Sequence, residues 1–181
     1  QECLTPETSM AITSVRGEAD VVIARHLIEH TFDIRQFMKA VRSMVHQKGY
    51  VIFEIPDCHR ALEKLDYTTI WEEHTLYFTP ETFRNCFGFG GLALIHFEKA
   101  PYSLEDSYIG IAKPKEALEE KLPSKKTLKN EITRAKNFAN SLQNQRDKLK
   151  TFLSEYRNTQ GKIAIFGAAH MACTFINLLE L

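Results

Sequence analysis

The sequence has no apolar run long enough to cross a membrane and no excess of positive charge. Its 181 residues carry 23 lysines and arginines and 23 aspartates and glutamates, so the formal net charge is zero. A protein without a basic excess is poorly suited to bind nucleic acid or an anionic membrane surface. A membrane span needs about 20 consecutive apolar residues, and the start of the chain has no secretory signal pattern. We therefore expect a cytoplasmic protein with neither of these partners.

Cysteine is also scarce. The four cysteines are far apart and form no C-x-x-C pair, which excludes a zinc knuckle and a dense disulfide framework. We expect all four to be reduced. The first residue is Gln1 rather than methionine, so we expect the chain to be a processed, cleaved or engineered piece.

The apolar pattern of the first third predicts a strand, a helix and a second strand. The runs at 19–24 and 50–55 are rich in β-branched residues and are typical of strands buried on both faces of a parallel sheet. Helical spacing predicts a helix at about 33–47, with Gly49 as its C-cap. A strand, a helix and a strand in this order indicate parallel pairing.

Two Thr-Pro-Glu segments have the form of helix starts, with a capping hydroxyl, a proline at the first helical position and an acid in the first turn. They predict helices beginning at Pro6 and at Pro80. Strands at about 92–98 and 107–113 follow, and the short connection between them predicts an antiparallel pair.

The last third is dominated by charged and amide residues. Apolar residues recur there every three or four positions and predict one amphipathic helix over 125–157. A strand at 162–166 and a helix at 170–180 then predict a C-terminal βα unit. We expect three regions: a partial domain over 1–113, a helical linker over 114–160 and the start of a second domain over 161–181.

The triplet Glu72-Glu73-His74 follows Trp71 and precedes an aromatic pair and a helix start. A carboxylate beside an imidazole can hold the ring in one tautomer and raise its basicity, as a general base requires. A solvated loop is the alternative interpretation. The position beyond the carboxyl end of a predicted parallel strand, where open α/β sheets bind ligands, favours function.

Two histidines, His26 and His30, flank Glu29 at the end of the first predicted strand. Their spacing resembles a metal-binding pair, but the helical H-E-x-x-H motif is absent and no third ligand is identifiable. We expect no metal site, and we expect His30 to hydrogen-bond a ligand. Glu54 and Asp57, near the end of the second strand, could contact a polar ligand or could simply form a turn.

The segment Gly167-Ala168-Ala169-His170 lies between a predicted strand and a predicted helix. Backbone N–H groups and a helix N-terminus at such a turn favour an anion such as phosphate. The segment lacks the full G-x-G-x-x-G pattern, so a purely structural turn is the alternative.

The order of these motifs resembles the second half of class I S-adenosylmethionine-dependent methyltransferases, and more closely the nucleotide-sugar C-methyltransferases. In that family a Y-D-E-H segment and an aromatic-Ser/Thr helix start lie in the active site, and a long helix leads into G-K-x-x-x-x-G-A-A. Here 71–74, 77–79 and 161–169 match these segments. The resemblance implies an α/β fold: half of a Rossmann-like sheet, a long helix and a C-terminal βα unit.

The reaction implied by the resemblance methylates a carbon next to a keto group of a nucleotide-linked deoxysugar, with S-adenosylmethionine as the methyl donor. His74 would be the base that removes the proton, Glu73 its orienting carboxylate, and His30 a hydrogen-bond donor near the enolate oxygen. Trp71 stands where the family has a tyrosine, and an indole cannot act as a phenol acid. The substrate-binding residues implied by the resemblance are Trp71, Tyr77, Gly167, Ala168, Ala169 and His170.

The chain departs from the family by lacking the glycine-rich donor loop with its acidic ribose partner and the cysteine-rich zinc module. We therefore expect the C-terminal part of a longer enzyme, inactive on its own. The alternative is a non-catalytic nucleotide-binding or dimerisation module, in which the long helix or the C-terminal βα unit forms a homo-oligomer.

Overall fold

The computed structural model describes residues 4–71, 73–102, 106–115, 123–167 and 169–180. The chain forms two compact units whose segments alternate in sequence. The first unit consists of 1–57 and 73–124, and the second of 58–72 and 125–181. None of the helices in the described ranges combines the length and the apolar character needed to cross a membrane.

The first unit is built on a four-stranded mixed sheet. Its strands are β1 (Ala19–Arg25), β2 (Val45–Pro56), β3 (Leu92–Ala100) and β4 (Ser107–Pro114), in the order β1-β2-β4-β3. β1 and β2 are parallel, whereas β2 with β4 and β3 with β4 are antiparallel. The predicted α/β class is confirmed, including the parallel first pair and the antiparallel last pair.

The structure has six α-helices in the described residues, and all but α3 begin within one residue of a predicted start. They are α1 (Pro6–Arg16), α2 (Ile34–Met44), α3 (His59–Lys64), α4 (Pro80–Cys86), α5 (Lys125–Gln160) and α6 (His170–Leu178). At α1 and α4, Thr5 and Thr79 accept hydrogen bonds from the main-chain N–H groups of Thr8 and Thr82, and both helices carry reciprocal capping boxes. Both Thr-Pro-Glu predictions are therefore confirmed.

Aromatic side chains dominate the core of the first unit. The ring centroid of Phe83 of α4 lies 5.1 Å from that of Phe87, and the Phe87 centroid lies 5.5 Å from that of Phe53 of β2, with the rings edge-to-face in both pairs. All three are at most 1% exposed. Burying one such side chain stabilises the fold by about 1.5–3 kcal/mol, so this cluster holds α4 against the sheet. Cys58, Cys86 and Cys173 are free thiols, and burial raises the pKa of Cys86; Cys3 lies outside the described residues.

The predicted burial of the first strand on both faces is wrong. Ala24 is buried, but Val21 and Ile23 on the opposite face are 47% and 61% exposed. The strand pairs with β2 on one side and forms the edge of the sheet. The sequence pattern of a fully buried strand thus occurs here on a strand with one uncovered face.

The prediction that Gly49 caps a helix is also wrong. α2 ends at Met44, and Gly49 lies inside β2. A Cβ atom at Gly49 would lie 2.5 Å from the carbonyl oxygen of Asp20, so the two strands can approach only because this residue has no side chain. The ladder is irregular here, since Ala19 is paired with Val45 but Val21 with Tyr50.

The long helix of the second unit is confirmed, as α5 extends over 36 residues. The hydroxyl of Tyr67 donates a 2.6 Å hydrogen bond to the carbonyl oxygen of Phe138, and the two rings stack at 4.4 Å. Leu149 and Phe152 line a pocket of about 340 Å³ together with Phe175 of α6. The middle of α5 therefore contacts Tyr67 and the C-terminal end of α6.

The predicted strand at 162–166 does not form. This segment has no regular secondary structure, and Ile163 and Ile165 are 43% and 48% exposed. A strand needs a neighbour to satisfy its main-chain hydrogen bonds, and within the described ranges no strand pairs with this segment. The helix of the predicted βα unit does form, as α6.

Candidate active site

The site begins where β1 leaves the sheet. The last β1–β2 pair is Arg25 with Glu54, after which the N–H of His26 donates to the carbonyl oxygen of Glu54 at 2.9 Å. His26 has a φ of +48°, which turns the chain into a short 3-10 turn at Ile28–His30. Ile28 is buried at 1% exposure and anchors this turn in the core. His30 is thereby fixed at the carboxyl end of a parallel strand, the edge where α/β sheets bind ligands.

The loop at 73–76 is hydrogen-bonded onto this turn. The N–H groups of Thr75 and Leu76 donate to the carbonyl oxygen of Glu29 at 2.9 and 3.1 Å. The hydroxyl of Thr75 donates to the carbonyl oxygens of Glu29 and Thr31 at 3.2 and 2.6 Å. These contacts hold a segment distant in sequence against the end of β1. Nothing in the sequence around Thr75 indicates this role.

The loop brings His74 into contact with His30. The two ring centroids lie 4.7 Å apart, with the rings nearly perpendicular. The Nδ1 atom of His30 lies 3.0 Å from the carbonyl oxygen of Glu73. Because a carbonyl can only accept, Nδ1 carries the proton in this contact. Tyr77 lies next to the pair, with its ring centroid 6.1 Å from that of His74. Four predicted site residues, His30, Glu73, His74 and Tyr77, therefore lie together.

A second carboxylate, Glu29, belongs to this cluster. Its side chain is 2% exposed, and neither carboxylate oxygen accepts a hydrogen bond. His26 Nδ1 lies 3.3 Å from its Oε1 atom, a contact that is an ion pair when the imidazole is protonated. One atom each of Glu29, His30 and His74 lies within 4.8 Å of the other two. The signal in the sequence is the adjacency of Glu29 and His30, but His74 is brought in only by the fold.

Glu54 is engaged within the protein. Arg25 donates to both of its carboxylate oxygens, from Nε at 2.6 Å and from Nη2 at 3.1 Å. These hydrogen bonds, together with the charge of Arg25, hold the pKa of Glu54 below its ordinary value. Glu54 lies within β2 rather than in a turn, and ligand contact by its carboxylate stays a prediction. Glu54 forms an ion pair between the ends of β1 and β2.

Asp57 lies in a similar network. Lys99 places its Nζ atom 2.7 Å from Asp57 Oδ2 and 2.9 Å from Asp106 Oδ2. The buried hydroxyl of Tyr108 donates to Asp57 Oδ1. Hydrogen bonds to Asp57 and Asp106 raise the pKa of Lys99. This network ties the end of β2 to β3 and β4, which is a structural role.

In the second unit, Trp71 and His170 stack face to face. Their ring centroids are 3.6 Å apart, with an angle of 10° between the rings. His170 Nε2 lies 2.9 Å from the carbonyl oxygen of Ile70 and 3.1 Å from the hydroxyl of Thr174. A pocket of about 490 Å³ lies beside this stack. Two of the predicted substrate-binding residues thus form one aromatic platform.

The remaining residues of the predicted phosphate-binding turn are Gly167, Ala168 and Ala169. Gly167 has a φ of +139°, a conformation that favours glycine, and Ala169 is the N-cap of α6. Ala168 lies outside the described residues. The segment before Gly167 is not a strand, so the predicted strand–turn–helix cradle is not formed.

A sequence family described as a methyltransferase domain matches residues 4–96, which is more than half of the chain. The match includes the sheet strands β1 and β2, the turn at Glu29 and His30, and the loop that holds His74. The chain belongs to this methyltransferase-domain family.

Solved structures similar to this methyltransferase-domain chain include three methyltransferases. An S-adenosylmethionine-dependent methyltransferase from Clostridium acetobutylicum is 11% identical, with a TM-score of 0.41, over 54% of this chain and 59% of that one. CalO1, a methyltransferase in calicheamicin biosynthesis with S-adenosylhomocysteine bound, is 18% identical, with a TM-score of 0.41, over 54% and 30%. An S-adenosylmethionine-dependent methyltransferase from Anabaena variabilis is 15% identical, with a TM-score of 0.46, over 64% and 57%.

The matched region is thus less than two thirds of the length of each of these proteins. No curated protein matches the sequence of this chain significantly.

Proposed function

We propose that this chain is the C-terminal portion of an S-adenosylmethionine-dependent C-methyltransferase that acts on a carbon next to a keto group of a nucleotide-linked sugar. The methyltransferase-domain match supports the reaction class. The observation that carries the finer proposal is the contact between His30 and His74 at the carboxyl end of β1. A carbon acid needs a base and a hydrogen-bond donor for the enolate oxygen, and this pair can supply both.

In the proposed reaction, His74 removes the proton from the carbon next to the keto group. His30 has Nδ1–H bonded to the carbonyl oxygen of Glu73, so donation to the enolate oxygen uses its second ring nitrogen and requires the protonated imidazolium. The buried carboxylate of Glu29 supplies the opposite charge for that cation. Glu73 positions His30 through its main chain, and we retain its carboxylate as the proposed orienting group of His74.

The donor supplies an electrophilic methyl group when it is bound. No glycine-rich turn between a strand and a helix, with an acidic partner, occurs in the part of the chain that the structure describes. The residues present therefore do not complete a donor site. We therefore propose that the chain alone is inactive in methyl transfer, and that proton transfer is the step that its residues can carry.

Nucleotide binding is proposed for the platform of Trp71 and His170 with its adjoining pocket, because stacking on aromatic rings is a common way to bind a base. Four further substrate contacts are proposed only because they occupy motif positions of the family that the sequence resembles: Tyr77, Gly167, Ala168 and Ala169. Trp71 in place of a tyrosine fits a stacking role better than an acid–base role.

Calorimetry on the full chain tests the division of binding functions. Thymidine diphosphate should bind, whereas S-adenosylhomocysteine should bind weakly or not at all because the residues present do not complete a donor site. The Trp71→Ala variant should weaken nucleotide binding at least about fivefold, since stacking contributes about 1–3 kcal/mol per base. Phe166→Ala is the matched control, because that aromatic side chain is fully exposed. Tight binding of the donor product without any nucleotide binding would contradict the proposal.

The second candidate function is a non-catalytic nucleotide-binding or dimerisation module. The exposure of apolar residues at both ends of α5 favours it: Leu128 is 51% exposed and Tyr156 is 46% exposed. Such residues at heptad-like spacing can form a helix–helix interface with a second copy of the chain. Nucleotide binding without any proton abstraction from the sugar would support this candidate over the enzyme.

A further inference from the structure

We propose that Glu29, His30 and His74 form a binding site for one divalent transition-metal ion of the zinc type. The three side chains offer two imidazole nitrogens and one carboxylate oxygen, and these atoms lie within 4.8 Å of one another. In the sequence, Glu29 and His30 are adjacent, but no third metal ligand is identifiable. The hydrogen-bonded loop at 73–76 supplies that ligand as His74.

The buried carboxylate of Glu29 is the observation that points to a cation. Glu29 is 1% exposed, and neither of its carboxylate oxygens accepts a hydrogen bond. Removing a carboxylate from water is costly unless a hydrogen-bond donor or a cation replaces the water. His26 approaches Oε1 from one side at 3.3 Å. An ion held between Glu29, His30 and His74 would neutralise the carboxylate on the side that faces the histidines.

The hydrogen bond of His30 is the one that metal-binding histidines usually make. Its Nδ1–H donates to the carbonyl oxygen of Glu73 at 3.0 Å. Such a bond fixes the tautomer and leaves the lone pair of the other ring nitrogen available to a metal ion. Glu73 thus orients the ligand from outside the coordination sphere.

The spacing of the cluster is close to what a zinc-type ion requires. Imidazole and carboxylate ligands bind Zn²⁺ at about 2.0–2.2 Å, which places tetrahedral ligands about 3.4 Å apart. The present separations of up to 4.8 Å need to shorten by roughly 1.4 Å at most, which rotation of the partly accessible His30 and His74 side chains can supply. Two histidines and one carboxylate are a ligand set that selects zinc-type and other first-row transition metals over Ca²⁺ and Mg²⁺.

Metal binding and proton abstraction would use the same lone pair on His74. The cluster therefore has two alternative states, one that accepts a proton and one that holds an ion. Inhibition of proton abstraction by Zn²⁺ follows from this competition and rests on the proposed function. The metal site itself does not depend on that function.

Titration of the full chain with Co²⁺, followed by the visible absorption of the bound ion and by displacement with Zn²⁺, tests the site. We expect one ion per chain. Glu29→Gln and His74→Gln should each weaken binding at least tenfold, because each variant removes one of three ligands. His96→Gln is the matched control, because His96 lies in β3 and is not one of the three ligands. This control should bind as the unaltered chain does.

Absence of saturable one-to-one binding overturns the inference, as does binding that both ligand variants leave unchanged. Circular dichroism checks that Glu29→Gln is folded, and His74→Gln, on a partly exposed loop, carries the test if it is not. Metal binding is measured without any sugar substrate. Its failure therefore leaves the proposed proton transfer standing, and a failure of proton transfer leaves the metal site standing.

Discussion

Glu29 contributes to the site through two different parts of the residue. Its carbonyl oxygen accepts hydrogen bonds from the main chain and hydroxyl of Thr75 and from the N–H of Leu76, which fixes the loop carrying His74. Its carboxylate lies buried beside the two histidines. Truncation of the side chain would leave the first set of contacts intact, because they involve only the main chain of this residue.

The ion pair between Arg25 and Glu54 predicts how stability depends on pH. The pKa of Glu54 is lowered from its ordinary value of 4.5, first by the hydrogen bond from Arg25. The folded state therefore holds the carboxylate ionised at a pH where the unfolded chain takes up a proton. Its contribution to stability is present above about pH 4.5 and is lost as pH falls through the lower folded-state pKa. Urea denaturation at pH 6 and pH 3.5 measures this loss.

Glu54→Gln should show a smaller drop in the free energy of unfolding between the two pH values than the unaltered chain. Glu98→Gln is the control, because it also removes one carboxylate but from a side chain that is 61% exposed on β3. An equal drop in the Glu54→Gln variant and the unaltered chain would refute the assignment of this stability to the Arg25 pair.

Some residue contacts could be predicted from the sequence, and others could not. The family resemblance implied that His30, His74 and Tyr77 share one site, and the rings of His30 and Tyr77 lie beside that of His74. The stack of Trp71 on His170 joins residues far apart in sequence, so no local pattern reports it. The hydrogen bonds by which Thr75 anchors its loop also join residues far apart in sequence, so no local pattern predicts them.

Among helices and strands, the sequence predicts correctly those features that depend only on adjacent residues. Capping by Thr5 and Thr79 depends on a few adjacent residues, and both helix starts are confirmed. The burial of a strand depends on the elements that pack against it, and the apolar pattern of the strand itself does not report those elements. The face of Val21 on β1 is exposed, and the segment at 162–166 is not a strand, although both have the composition of buried strands.

The close approach of β1 and β2 can be tested at Gly49, which permits it by having no side chain. In Gly49→Ala the new methyl group would lie 2.5 Å from the carbonyl oxygen of Asp20 and 2.9 Å from Val45 Cγ2. Relief requires the backbone to shift, and overpacking of this kind costs about 1–3 kcal/mol. Chemical denaturation should show a loss of that size.

Lys48→Ala is the matched control for Gly49→Ala, because it alters the adjacent, exposed position of the same strand. Its free energy of unfolding should change by less than about 0.5 kcal/mol. Equal stabilities of Gly49→Ala and the unaltered chain would show that the strands tolerate a side chain there.

At the scale of the whole molecule, the two units do not follow one another along the chain. The segment at 58–72 belongs to the unit that contains α5 and α6, whereas 73–124 belongs to the unit of the sheet. The sequence does not reveal this exchange, because the boundary between residues 72 and 73 falls inside the polar and aromatic stretch at 71–78. The proposed base and the proposed nucleotide platform consequently belong to different units, at His74 and Trp71.

We propose that His74 removes a proton from a carbon next to a keto group. NMR in D₂O can follow exchange of that proton when the full chain is incubated with a thymidine diphosphate-linked keto-deoxysugar, without any methyl donor. We expect exchange by the unaltered chain and by His96→Gln, and a rate at least about 100-fold lower in His74→Gln, because that variant loses the general base. No exchange by the unaltered chain, or equal exchange by His74→Gln, would contradict it.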